Sequence, residues 1–506
     1  MRKVIGIVVG LLLLGIVGFF GLEWYAKDRL QTLLKEDLPP RTQLDYKELK
    51  VSLWNGDVFL THAQLDIARE DSSPSVKTSW KELRLEGFKH WTYLTTDSIH
   101  FSSMAVTEGQ IIYYNLDHAK SENETIQFGK HVYIDSVTLA TALEIRTSQD
   151  SVSLQTPSIH LTLSQFFLDE QTLNKTVPFS WEQTSIKTDS LRIALNTYDS
   201  FFVDELSFDK DRLDLNKASI RTNYDRRTLT QMIDTERDHL DFTMPEVSLK
   251  GLQVSLDQED SLQIRSHALD LIDPELIIYR NRLVAPNTAT KPLYGQMLRS
   301  LPFGLQIDST TIQNASVQYD ERDHRGGQIG SISFSDLNAT IVHLGNTYKG
   351  TEGPTRIAVE GVFMNDGVLE VDWNFDVLDQ QEKFRFKGSL SGLKASELNA
   401  FTVPNLDVAL EGSLRKVYFD ISGNENASLT HMRMDYDDFK VNIQGEGQKK
   451  KWLKSIITNI FIASDSESWG DEEFRKGKGE VARENNKSFF HFIWLSLKSA
   501  LRDTMT

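Results

Sequence analysis

A chain of 506 residues with 40% apolar content is long enough for a substantial core and too apolar to be disordered. Its 72 acidic and 55 basic residues leave a formal charge of −17, which argues against nucleic acid as a partner, because phosphate recognition needs a basic face. It has no cysteine, which excludes disulfides, thiol catalysis, thiolate metal sites and lipid attachment through cysteine.

Arg2 and Lys3 precede an uncharged run from Val4 to Leu22, close to the roughly 20 residues a helix needs to cross a bilayer. Residues 1–25 are therefore expected to be a transmembrane anchor, with Val4, Ile5, Leu11, Leu14, Phe19 and Phe20 in the bilayer. Trp24 and Tyr25 close the run, where interfacial aromatic residues are expected. No small-residue cleavage site follows, so an uncleaved anchor fits better than a signal peptide. The basic N-terminus places the start of the chain in the cytoplasm and its bulk across the membrane. In a two-membrane bacterium that means a single pass of the inner membrane and a periplasmic body. Residues 26–43 are expected to form a helical linker, with Leu30, Leu33 and Leu34 on one stripe before Pro39-Pro40.

From residue 44 the dominant period is two. Leu49 and Val51 alternate with polar residues, Asn55-Gly56-Asp57 signals a turn, and Val58 and Leu60 resume the pattern. Ile99 and Phe101, Ile111 and Tyr113, and Val137 and Leu139 follow. Asn365-Asp366-Gly367 is a tight-hairpin signal, and Leu369, Val371, Trp373 and Phe375 then alternate with acidic and amide residues. Phe384 and Phe386, Met432 and Met434, and Phe439 and Val441 continue the meander. Strict alternation gives antiparallel sheet with one wet and one dry face. Two β-rich regions are expected, residues 44–290 and 291–448. Four segments share an Asp-Ser start, from Asp97, Ile134, Asp260 and Ile307, which suggests a repeated strand-turn-strand unit.

Helices are expected to be few: Arg227 to Thr235, Leu293 to Leu301 and Ala395 to Phe401. Residues 449–506 should hold two amphipathic helices, Lys451 to Ala463 and Ser488 to Leu501, around an acidic loop.

No catalytic or phosphate-binding motif is present. The tetrapeptide Glu-Arg-Asp-His occurs twice, from Glu236 and from Glu321, and reads as a solvated turn in both places. Nothing points to an enzyme, a metal or a cofactor. What stands out is the apolar face, which a protein poor in helices must pack on itself or curl around something apolar.

The chain resembles the AsmA-like family of bacterial envelope proteins, within the repeating β-groove lipid-transfer proteins. Three features carry the likeness. The N-terminal helix leads into Trp54-Asn55-Gly56 and Val58-x-Leu60. Leu301-Pro302-Phe303-x-Leu305-x-Ile307-Asp308-Ser309 precedes Val317-x-Tyr319-Asp320-Glu321. At the end, Lys449-Lys450-Lys451 is followed by Lys487-Ser488-Phe489-Phe490-His491-Phe492-Ile493-Trp494. The resemblance implies a mainly β fold: an elongated, curled antiparallel sheet, groove-like or taco-like, with short helices. Its interior would carry phospholipid acyl chains from the inner toward the outer membrane, in envelope maintenance. Candidate groove residues are Ile99, Phe101, Ile111, Tyr113, Ile307, Val317, Tyr319, Leu369, Val371, Trp373, Phe375, Phe384 and Phe386. The C-terminal helices would meet envelope proteins or the outer membrane. The alternative is a non-enzymatic scaffold or assembly factor for outer-membrane biogenesis.

Overall fold

A strand shows alternate side chains to opposite faces, so the sequence pattern translates directly into a sheet with an apolar side. The computed structural model describes residues 41–52, 55–69, 74–96, 98–114, 131–147, 150–173, 175, 177, 179–257, 260–323, 327–443 and 474–505. The expected anchor (1–25), Trp54 and the expected helix Lys451–Ala463 lie outside the described residues. Among the described residues no helix is long and apolar enough to cross a membrane. The chain divides into two units, up to Asn216 and from Lys217.

In the first unit β1 (Thr42–Asp45) and β2 (Glu48–Ser52) lie end to end along β3 (Asp57–Ala68). β1 thus begins inside the expected helical linker. β4 (Pro74–Glu86) follows, then α1 (His90–Thr96) and β5 (Ile99–Tyr114). β6 (Val132–Arg146) pairs with β5 in parallel, and β7 (Val152–Leu168) pairs with β6 antiparallel. After α2 (Glu170–Leu173), β8 (Gln183–Thr188) and β9 (Leu191–Ala194) both lie between β7 and β10 (Asp199–Asp209). The division between units falls within β11 (Arg212–Thr222).

In the second unit α3 (Arg226–Met232) is capped by Asp225, whose carboxylate accepts from the Arg227 and Thr228 amides. β12 (Asp238–Lys250) continues into β13 (Gln253–Leu256), and β14 (Leu262–Ile272) into β15 (Glu275–Asn281), with antiparallel pairing between the two tracks. α4 (Tyr294–Arg299) leads to β16 (Gly304–Arg322), which runs parallel to β14 and β15. From there β17 (Gly330–Gly345), β18 (Thr355–Phe363), β19 (Gly367–Phe375) and β20 (Phe384–Lys394) form an antiparallel meander. A short 3₁₀ turn and α5 (Asn399–Leu406) precede β21 (Val408–Gly423), β22 (Ala427–Ile443) and β23 (Arg475–Ala482). α6 (Phe489–Met505) ends the chain.

The protein is mainly β, as expected, but its sheet is mixed and not purely antiparallel. β5–β6 and the β14–β15 pairing with β16 are parallel. Parallel neighbours need a long connection, and 17 residues separate β5 from β6 and 22 separate β15 from β16. The four similar Asp-Ser segments fall at the starts of these parallel-paired strands, so each unit contains two meanders joined by a parallel junction.

The long strands carry non-glycine residues with positive φ, among them His62, Glu108, Asn314 and Asp438. Around such residues the inward positions slip by one. β3 buries Val58 and Leu60, then Ala63, Leu65 and Ile67. Beside Glu108 and Asn314 the pairing also shifts register, and such bulges bend and twist a strand.

α6 is seated by two glycines. A Cβ on Gly479 would lie 2.5 Å from the Ala500 nitrogen, and one on Gly477 would lie 2.5 Å from the Ala500 oxygen. Only glycine lets helix backbone lie this close to strand backbone. Ser488 caps the helix, its hydroxyl accepting from the His491 amide, and Ser496 Oγ lies 2.7 Å from Ser428 Oγ. Asp503 accepts from the Lys478 amide, so α6 also covers part of the outer edge of β23. Gly479→Val should lift α6 from β23 and cost about 1–3 kcal/mol, the usual range for overpacking. Urea unfolding of wild type and variant measures it, and an unchanged midpoint would show that the helix is not seated there.

Candidate functional site

Residues directly opposite in register lie on one side of a sheet, so the pairing converts the alternation into rows that run across the strands. In the first unit one row is Leu83, Val106, Leu139, Leu161, Ile186 and Phe208. Another is Val76, Tyr113, Ile145, Leu154, Ile193 and Phe201, and between them lie Ile111 and Leu143. Nearer the other strand ends come Phe101, Ile134 and Phe166, then Ile99, Val132 and Leu168. The rows form one continuous apolar face.

Burial across this face is uneven. Ile99 and Phe101 are fully buried, and the Phe101 ring stands 5.2 Å from Phe88. α1 and α2 sit on this side, through Tyr93 against Phe88 and through the buried Leu173. At the opposite strand ends Ile111, Tyr113, Leu143, Ile145, Leu154 and Ile193 are only half-buried. Contiguous half-exposed apolar side chains on the same face as a core are the kind of surface that an apolar partner can cover.

The second unit repeats the arrangement over more strands. One row reads Leu249, Leu269, Thr310, Ile341, Ile357, Trp373, Phe386, Ile421, Thr430 and Gly479. Its neighbour reads Val247, Leu271, Ile312, Ala339, Val359, Val371, Gly388, Phe419, Met432 and Gly477. Over β16 to β18 the members Ile341, Ile357, Ile312 and Val359 are half-buried. From β19 onward the first of these rows is covered, while Val371 of the second is still half-buried. Phe489 stacks on Trp373 with centroids 4.6 Å apart, and makes edge contacts with Phe384, Phe386 and Tyr294. Phe492, Ile493 and Ala500 complete the cover.

The expected groove residues therefore separate into three groups and one exception. Ile111, Tyr113, Val317, Leu369 and Val371 lie half-buried in their strands. Ile99, Phe101 and Ile307 are buried. Trp373, Phe375, Phe384 and Phe386 are packed core in the cluster that includes α6. Tyr319 differs again: its hydroxyl donates to Glu321, and burial together with that carboxylate pushes its pKa up.

Glu321 belongs to a charged cluster at the ends of β15 and β16. Arg282 donates to Glu236 at 3.2 Å and to Glu321 at 3.0 Å. Arg280 grips Asp238 in a two-pronged pair, both contacts 2.6 Å. Lys487, just before α6, lies 3.5 Å from Glu236. Burial, with Arg280 and Lys487 nearby, lowers the Lys291 pKa. Burial also lowers that of His491, and Arg282 and Lys487 push it the same way. The expected solvated turn at Glu236 is thus a buried ionic junction, and its side chain is 7% exposed. Spacing gave no sign of it, because the partners come from four distant segments. The one hint was the repeated tetrapeptide itself.

Across β16 to β22 a depression is lined by Ile312, Val359, Val371 and Phe419 of the second row together with Glu360, Glu370, Asp372, Lys387, Tyr418 and Arg433. It carries both charge signs, and Lys416 and Arg433 already lie over the Tyr418 ring. Among the described residues no group of side chains is arranged to hold a metal ion. No protein-family model matches the chain, and no curated protein matches it.

Removing one member of a buried ionic junction strands the others. Glu236→Gln should destabilise the second unit by about 3 kcal/mol, read as a lower urea midpoint. A shift within experimental error would show that the junction is solvated after all.

Proposed function

We propose that this protein is a membrane-anchored carrier of acyl chains, of the AsmA-like kind that its sequence resembles. In this reading the sheet curls into a trough whose apolar rows hold the tails of a phospholipid. The N-terminal run fixes the chain in the inner membrane, and the body works in the periplasm, moving lipid toward the outer membrane. The observation that carries the reading is the continuous half-buried row set of the first unit, Ile111, Leu143, Ile145 and Leu154. These side chains lie on the same face as a true core, yet the helices α1 and α2 sit toward its other side. An acyl chain supplies the cover that the described elements do not, at about 0.8 kcal/mol for each CH₂ removed from water. No reactive group is required for such a task.

A second reading, a scaffold for outer-membrane assembly, draws on a different observation. Beneath α6 the same face is closed by protein, with Phe489, Phe492 and Ile493 in the seat. A sheet closed in this way throughout would carry nothing.

Adjacent positions on one strand distinguish the two. Leu143 faces the trough, and Glu144 faces away from it. A photoreactive benzophenone amino acid at Leu143, in the full chain in cells, should crosslink phospholipid, and the same probe at Glu144 should not. Lipid at neither position, or equally at both, would contradict the carrier reading.

A further inference from the structure

The direction of α6 relative to the rows carries a further consequence, which rests on the carrier reading. Phe489 touches Trp373 of β19 and Phe384 and Phe386 of β20. Ser496 meets Ser428 of β22, and Ala500 and Thr504 meet Gly479 and Gly477 of β23. The helix therefore crosses the strands and runs along the rows. Its length agrees: from Phe489 to Thr504 it spans about 22 Å, and four strand spacings from β19 to β23 span about 19 Å. α6 lies lengthwise where an acyl chain would lie.

The seat has the marks of a fixed fitting. Gly477 and Gly479 hold the C-terminal half at backbone distance, and the Ser428–Ser496 contact is buried. At the N-terminal end Lys487 is tied to Glu236. Along the first row Ile341 and Ile357 are half-buried, while Trp373, Phe386 and Ile421, next in line, are buried; along the second, Val371 is still half-buried and Phe419 is buried.

We propose that α6 is the fixed end wall of the acyl trough and that Phe489 is its stop, the side chain that the terminal methyl of a bound acyl chain meets. Phe489 thereby sets how much chain the second unit accepts. Along the first row lipid ends before β19, and it does not pass beneath the C-terminal helix.

The test uses the full chain in cells, with the benzophenone amino acid at Phe489 or at Phe492. Because the protein has no cysteine, the pair Ser428→Cys and Ser496→Cys introduces only one possible disulfide, which locks α6 to β22. The Phe489 probe should capture phospholipid to the same extent with the lock oxidised or reduced, and the Phe492 probe should capture only protein. Lipid at Phe492 that disappears on oxidation would mean that α6 leaves its seat, overturning the end wall. Lipid captured by a probe at Leu143 but not at Phe489 would overturn the stop and leave the carrier reading intact. Lipid at none of these positions would instead remove the carrier reading. The conservative Phe489→Leu supplies a check free of the probe: by shortening the stop it should shift captured lipid at Ile357 toward longer acyl chains, and an unchanged distribution counts against the stop.

Discussion

An apolar sheet face has to be taken out of water, and among the described residues the face is far larger than the helices can cover. Each unit meets that constraint with protein over part of its face. In the first, α1 and α2 sit beside Ile99, Phe101 and Leu168. In the second, α6 closes the rows from Trp373 to Gly479. Elsewhere the rows are half-buried. A chain of about 16 carbons laid along such rows would gain roughly 13 kcal/mol by leaving water, comparable to the whole stability of a typical domain. The face is thus both the main source of stability and the feature that a ligand can use.

The charged junction follows from the same constraint. α6 starts at the point where Lys487 meets Glu236, and Arg282 connects Glu236 to Glu321 on β16. Buried ion pairs add little net stability, but a broken one is costly, so they favour one arrangement over its alternatives. Here they fix where the helix begins, and with it the position of Phe489 over Trp373.

Much of the sheet was legible from local pattern. Asn365-Asp366-Gly367 marks the turn between β18 and β19, with Phe363 opposite Gly367. Even a bulge left a trace: Met432, Met434 and Tyr436 give way to Phe439 and Val441, and the slip falls at Asp438, whose φ is positive. The parallel junctions were not legible, because strand direction is set by connections and not by alternation. Nor was the fate of Trp373, Phe384 and Phe386. Alternation states that they face inward, but not whether lipid or helix meets them there. The signal for the helix was present in Arg475-Lys476-Gly477-Lys478-Gly479, where glycine at every second position leaves one face of a strand bare. The ionic junction joins residues too far apart in sequence for any spacing rule to find.

The most direct measurement is lipid mass spectrometry on residues 27–506, exported to the periplasm and purified without detergent. The account predicts phospholipid in stoichiometric amount, lost when Ile111→Asp and Leu143→Asp are introduced into a chain that still folds. A folded protein free of lipid would contradict it.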